Sequence, residues 1–221
     1  MYVGLAMLKH VPTITSDTLV IKADRMMEEH KLWILLVVEN GLLKGYVAKE
    51  DIRAALPSGA TTFSKHELNY LLSKMTVQKL VRKDMPIVHP ETDIEEAAKI
   101  MHDLNLAGLA VVDKKNILKG YISHRSMLAV LIEEMGLDLG GQRITIQAED
   151  RKGLMAEISK FFFELGINIL STSIFYRAQQ RLLVFRIQTD DLEEIHKKLT
   201  LQGYSIVGPE YFAKEWDEKY A

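Results

Sequence analysis

The chain has 221 residues, 48% of them hydrophobic and 26% charged, with a formal net charge of -2 and a pI near 6.4. That balance describes ordinary globular protein, excludes disordered or fibrous sequence, and builds in no global attraction to nucleic acid or anionic lipid. The absence of cysteine removes disulfides, thiolate metal sites and thiol nucleophiles together and fits a reducing compartment.

The opening MYVGLAML is too short for a signal peptide and runs directly into Lys9 and His10, so a cytoplasmic protein is expected. The longest apolar run, Leu32 to Val38, is strand length and far below the roughly 20 residues that cross a bilayer. Shifting the sequence on itself by 74 positions places Pro12 on Pro86, Thr18 on Thr92, Ala23 on Ala97, Met27 on Met101 and Val37-Val38 on Val111-Val112. This is an internal repeat. After one inserted residue in the second copy, LLKGYV (Leu42 to Val47) falls on ILKGYI (Ile117 to Ile122).

Each copy reads as a short strand after the proline, then a helix opening at Thr15 to Asp17 or His89 to Glu91. In the second copy Ile94, Ala97, Ala98, Met101 and Leu104 share one helical face. Strands at Leu109 to Val112 and Gly120 to Ile122 follow, around a turn at Asp113 to Asn116, and a further helix runs to about Glu134. Two such units, each with one uncovered apolar side, bury it by pairing. Between them Leu56 to Met75 reads as a linker, with a loop at Pro57, Ser58 and Gly59 and a helix from His66 to Lys74. Glycines between Gly136 and Gly141 close the last helix and mark a domain boundary.

From Arg143 the pattern changes. A strand to Gln147 and a loop at Glu149 to Lys152 precede a helix whose Leu154, Ile158, Phe161, Phe162 and Leu165 form one apolar stripe; Phe163 is grouped with its two neighbours as core or interface. Strands at Ile167 to Tyr176 and Arg181 to Gln188, a helix carrying Leu192, Ile195 and Leu199, and a last strand near Tyr204 to Val207 complete a βαββαβ unit of the ferredoxin-like kind. The expected fold class is α/β (α+β). The first repeat is placed at 1–56, the linker at 57–75, the second repeat at 76–135, the βαββαβ domain at 142–208 and a tail at 209–221.

The VP…T of the first strand, with LKGY followed three residues on by a small residue, resembles a tandem pair of cystathionine-β-synthase (CBS) repeats. The βαββαβ unit, with EDRKGLMAEI leading its helix and ELGINI opening its second strand, resembles an ACT domain. With HELNYLLSKM as linker, the whole is similar to the AcuB-like family, named for acetoin utilisation. The resemblance implies an adenine nucleotide such as AMP, ATP or S-adenosylmethionine in the cleft between repeats, association into a homodimer, a regulated protein partner and no catalysis.

In CBS repeats that bind adenosine ligands the motif is a Gly at the strand end, a hydroxyl three residues on, and an Asp three further. The Gly permits close backbone approach, the hydroxyl and helix-start N–H groups hold phosphate, and the carboxylate accepts from ribose hydroxyls. The first copy supplies Gly45, Ala48, Glu50 and Asp51, keeping the carboxylate and losing the hydroxyl. Glu50 disfavours a phosphate there. The second supplies Gly120, Ser123, Arg125 and Ser126, keeping the hydroxyl, gaining a cation and losing the carboxylate, which suits anionic phosphate better. The alternative for Ser123 and Asp51 is that each serves the helix start that follows it. The resemblance places adenine near Thr13 to Thr15 and near Ile87 to His89, so that Ile87 and His89 join the candidate set. Tyr46 and Tyr121 read as packing residues rather than base-stacking ones.

For the ACT-like unit the resemblance points to Asp150, Gly153 and Leu154 at the loop before the helix, where Lys152 replaces the usual Pro, and to Asn168 as a ligand contact across a dimer interface. The alternative for Asn168 is local backbone bonding at a strand start. The seven histidines show no HxxxH or HExxH spacing, so no metal site is expected. Adjacent glutamates such as Glu95-Glu96 point in different directions on a helix and form no acid/base pair. Neither a phosphate loop nor a nucleophile elbow is present, and no cofactor or enzymatic activity is expected. The competing reading is a dimeric interaction scaffold that binds no ligand.

Overall fold

The computed structural model describes residues 1–56, 65–177 and 180–213; the expected loop at Pro57 to Gly59 and the tail beyond 213 lie outside them. The chain divides into two compact units, Met1–Leu128 and Ala129–Ala221.

The first unit holds both repeats as far as the first residues of the second repeat's last helix. In one, β1 (Thr13–Ile14), α2 (Val20–Glu29), β2 (Ile34–Glu39), β3 (Leu42–Ala48) and α3 (Lys49–Ala55) follow a short helix α1 (Val3–Ala6); α4 (Lys65–Leu72) comes next. The other repeats the order as β4 (Ile87–Val88), α5 (Ile94–Asp103), β5 (Gly108–Val112), β6 (Leu118–Ser123) and α6 (His124–Glu134). Each sheet has three strands, the first parallel and the last antiparallel to the central one. A register shift falls at Val37/Val38 in one and at Val111/Val112 in the other. These are the valine pairs that the repeat superposes.

Val20, Ala23 and Met27 on α2, and Ile94, Ala97 and Met101 on α5, are buried at helical spacing. Leu104, expected on that face, sits past the helix end and is 56% exposed. Both helices also begin later than expected. The Thr15 N–H donates to the Thr18 hydroxyl at 3.1 Å and the His89 N–H to the Thr92 hydroxyl at 3.0 Å. A threonine side chain that captures a backbone donor three residues back holds a turn and postpones the helix.

The segments that lead into each repeat are exchanged. Val3 N–H donates to Thr92 O and Val77 N–H to Thr18 O, both at 2.9 Å; Ile94 N–H donates to Met1 O and Val20 N–H to Met75 O. The turn at Val77–Leu80 therefore packs on the first repeat, where Val77 is fully buried with Ile14, Ala23, Met27, Leu35 and Ile52. Farther along, Tyr46 exchanges both backbone bonds with Arg82, and Tyr121 does so with Leu8. Gly45 makes this approach feasible, since a Cβ there would stand 2.1 Å from Arg82 O; at Gly120 the clash would be with Leu8 O at 2.6 Å. Between the two sheets Leu36, Leu43, Ala110 and Val112 form a shared core on which Tyr46 and Tyr121 pack half-buried, the role expected of these tyrosines.

In the second unit β7 (Gln142–Glu149), α7 (Leu154–Glu164), β8 (Asn168–Arg177), β9 (Gln180–Gln188), α8 (Leu192–Leu201) and β10 (Ser205–Ile206) give an antiparallel sheet of order β10-β7-β9-β8. Ile144, Ile146, Leu183, Phe185 and Ile187 on the sheet meet Leu154, Ile158, Phe161, Phe162, Ile195 and Leu199 on the helices. Phe163, grouped with its neighbours in the sequence, is 81% exposed: a helix turns about 100° per residue and carries the third phenylalanine out of the stripe.

Candidate functional site

In the first repeat Ile34 pairs with Ala48 across β2 and β3, and α3 starts at the next residue. Asp51 and Glu50 occupy its first turn, where the helix dipole favours anions. The chain supplies their partner from the exchanged lead-in. Arg82 Nη2 lies 2.7 Å from Asp51 Oδ1 and 2.8 Å from Glu50 Oε1, and the hydrogen bond to Asp51, then that to Glu50, raises the guanidinium pKa further. Asp51 Oδ2 is buried and has no hydrogen-bond partner among the described residues. Sequence reasoning missed Arg82, although the repeat itself carried a signal: the matching position in the other copy is the apolar Leu8.

A narrow apolar slot opens at the same end of that sheet, lined by Val11, Pro12, Leu32, Ile34, Leu36 and Tyr121. Its volume is about 30 Å³, enough for water and too little for a larger ligand. Five walls come from the lead-in and sheet of the first repeat; Tyr121 comes from the second. Burial pushes the Tyr121 phenol up to about 12. The slot lies just before Thr13, which pairs with Leu36, rather than at the exposed Thr15.

In the second repeat Ser123 pairs with Gly108 at the start of β5, next to the exposed Arg125, whereas Ile87 pairs with Ala110, midway along that strand. His89 and Gly120 do not join Ser123 and Arg125. His89 Nδ1–H donates to Val112 O at 2.8 Å, four residues along β5 from Gly108, or about 13 Å at strand rise. The Ser123 hydroxyl accepts the Ser126 N–H at 3.2 Å and meets the Ser126 hydroxyl at 3.1 Å, the geometry of a helix cap. Ser126, buried, stands where the first copy has Asp51.

In the second unit Asp150 is ion-paired with Arg181, which holds its carboxyl below the usual range, and the Arg181 guanidinium lies 3.7 Å over the Tyr176 ring. Gly153 takes a left-handed φ of 86° at the start of α7, and Leu154 is buried in the core. Asn168 is exposed at the opposite end of the sheet, paired with Gln188, whereas the loop after β7 adjoins Gln180. The loop and Asn168 therefore do not converge within one chain. On the loop side a concavity of about 330 Å³ is lined by Gln147, Glu149, Arg151, Gln180 and Tyr204, among others.

Among the described residues no group of three or more His, Cys, Asp or Glu side chains is placed to hold a metal, and no helix is long and apolar enough to cross a membrane.

Residues 3–58 and 77–133, just over half of the chain, match the CBS domain family. A CBS domain-containing protein of Dictyostelium discoideum is 30% identical over 128 residues, covering 58% of this chain and 88% of that protein. An uncharacterized protein of Methanocaldococcus jannaschii is also 30% identical over 128 residues, 58% of this chain, which spans 43% of that protein's length. Among solved structures, a Vibrio cholerae protein provisionally assigned to acetoin utilization (AcuB) superposes with a TM-score of 0.53 at 22% identity, covering 64% of this chain and 98% of that one. That likeness is one of fold.

Proposed function

The chain belongs to the CBS-domain family, and from that premise we propose that its paired repeats form a regulatory module binding an adenine nucleotide at the slot beside Asp51. One observation carries the reading. An apolar slot walled by both repeats stands at the sheet end where Asp51 has a buried carboxylate oxygen with no partner among the described residues. A purine is flat and apolar on its faces and suits the slot between Pro12, Ile34 and Tyr121; a ribose hydroxyl supplies the donor that Asp51 Oδ2 lacks. Arg82, already at the carboxylates, neutralises Glu50 and offers N–H groups to a phosphate. A volume of about 30 Å³ is far too small for adenine, so entry separates Tyr121 from Ile34 and Leu36. Because those walls belong to different repeats, binding favours a changed angle between them, which is the differential affinity that regulation requires.

At the second repeat we assign Ser123 and Arg125 to a weaker phosphate contact. The second unit serves as an ACT-like domain: its βαββαβ order and the unpaired outer edge of β8, which carries the exposed Phe175 and Tyr176, support pairing of two copies. The competing reading, a scaffold without ligand, is favoured by the Arg82 bridge and the Ser123 cap, which give both motif residues structural work. A melting-temperature series with AMP, ADP, ATP, S-adenosylmethionine and common amino acids separates the two. An adenine compound that raises Tm in the wild type and not in Asp51→Asn supports the sensor. No shift at millimolar ligand supports the scaffold.

A further inference from the structure

The hairpin end of the second repeat's sheet, away from Ser123, carries a concavity of about 630 Å³ lined by Lys9, Lys114, Lys115 and Lys119 together with Glu91 and Asp113. A second hollow of about 430 Å³, lined by Lys9, His10 and Lys119 among others, adjoins it. Four ammonium groups thus gather on one face of a chain whose net charge is -2. The two acids leave a net surplus of two positive charges. Asp113 is committed to its own turn: Oδ1 accepts the backbone N–H groups of Lys115 at 2.9 Å and Ile117 at 3.0 Å, while Oδ2 pairs with Lys119 at 3.0 Å. Lys9, Lys114 and Lys115 are exposed and make no ion pair among the described residues.

The first repeat lacks this feature. At the matching places it has Lys83 for Lys9, Lys44 for Lys119, Asp17 for Glu91, and the tight Asn40-Gly41 turn where the second hairpin, one residue longer, carries Lys114, Lys115 and Asn116. There the Ser16 hydroxyl bonds to Glu39 across the corresponding position. Lys9 and Lys119 thus have lysine counterparts in the first repeat, whereas Lys114 and Lys115 belong to the longer second hairpin and are not a requirement of the repeat fold.

We propose that this concavity is a binding site for a short oligophosphate chain, separate from the nucleotide slot. Ammonium groups are compact, mobile point charges that suit an anion of several closely spaced negative charges, and a concave wall concentrates their field. The lining contains no aromatic platform on which the bases of a nucleic acid strand would stack. The chain can arrive as free oligophosphate or as the tail of a nucleoside triphosphate.

The test is calorimetric titration of the full chain at low ionic strength with sodium tripolyphosphate, ATP and adenosine. The expected result is saturable tripolyphosphate binding, weakened at least tenfold in the K114A/K115A variant, unchanged in K44A/K83A, and undiminished by saturating adenosine. ATP binding that falls in parallel identifies a nucleotide tail as a source; tripolyphosphate alone showing the loss identifies free oligophosphate. All four lysines are exposed, so both variants are expected to fold, with circular dichroism as the check. Absence of saturable tripolyphosphate binding at millimolar concentration, or an equal loss in both double variants, overturns the proposal. Neither result bears on the slot, which AMP and Asp51→Asn test independently.

Discussion

Truncating Val77 to alanine tests the exchange of lead-in segments, because this residue precedes the second repeat in sequence yet is fully buried in the core of the first. The substitution deletes two methylene equivalents from a site with no exposure. At about 0.8 kcal/mol each the transfer loss is about 1.6 kcal/mol, and incomplete collapse around Ile14, Ala23 and Ile52 brings the total to about 2–3 kcal/mol. Val3, its counterpart, is equally buried, and Val3→Ala carries the same cost on the second repeat. Leu5 belongs to the same lead-in but is 78% exposed, so Leu5→Ala stays within about 0.5 kcal/mol. Urea unfolding, analysed unit by unit because the chain has two, supplies the free energies. Amide exchange supplies the location: Val77→Ala speeds exchange at Val20, bonded to Met75 O, more than at Ile94, and Val3→Ala does the reverse. Equal costs for Val77→Ala and Leu5→Ala, or exchange enhanced at the opposite repeat, would refute the exchanged arrangement.

Gly45→Ala places a Cβ 2.1 Å from Arg82 O, at a φ of 146°, and is expected to unseat the lead-in strand and lower Tm, whereas Gly41→Ala meets only Ile117, at 3.8 Å, and costs mainly its backbone conformation; a Gly45→Ala melt no lower than that of Gly41→Ala contradicts the close approach. Tyr121 titrates near 12 in the fold against about 10 unfolded, so its contribution to stability is complete below pH 10 and is lost as pH rises through 12. Melting curves between pH 9 and 11, values chosen to span the onset, should show an alkaline loss that Tyr121→Phe reduces; identical pH profiles would mean that the phenol is not desolvated.

The repeat was legible because the identities lie at core and turn positions, Ala23/Ala97, Met27/Met101 and the valine pairs, where packing dictates residue type. The exchange of lead-ins was not, although Met1/Met75 and Val3/Val77 obey the same shift: spacing identifies equivalent residues and does not say which copy each one packs against. Helix starts were placed too early because Thr18 and Thr92 compete locally for backbone donors. In the C-terminal unit the apolar stripe and strand alternation revealed βαββαβ, with ends displaced by a residue or two. At the candidate site Asp51 could be found as a carboxylate at a helix start. Its partner Arg82 stood out only as a cation where the other copy has Leu8; that it meets Asp51, 31 residues away, depends on tertiary structure. Ser123, from the motif, and His89, added by the resemblance, lie at opposite ends of β5, because each is fixed by its own strand register, which the spacing within a motif does not report.

The central claim is that the slot beside Asp51 receives an adenine nucleotide. Equilibrium dialysis of labelled AMP, ATP and S-adenosylmethionine against the wild type and Ile34→Trp tests it most directly, since Ile34 lines the slot, takes no part in the Arg82 ion pairs, and an indole there is far larger than the slot. The account predicts saturable binding of at least one of the three by the wild type and at least a tenfold loss in Ile34→Trp, with its circular dichroism unchanged. No binding by the wild type, or undiminished binding by a folded Ile34→Trp, would contradict it.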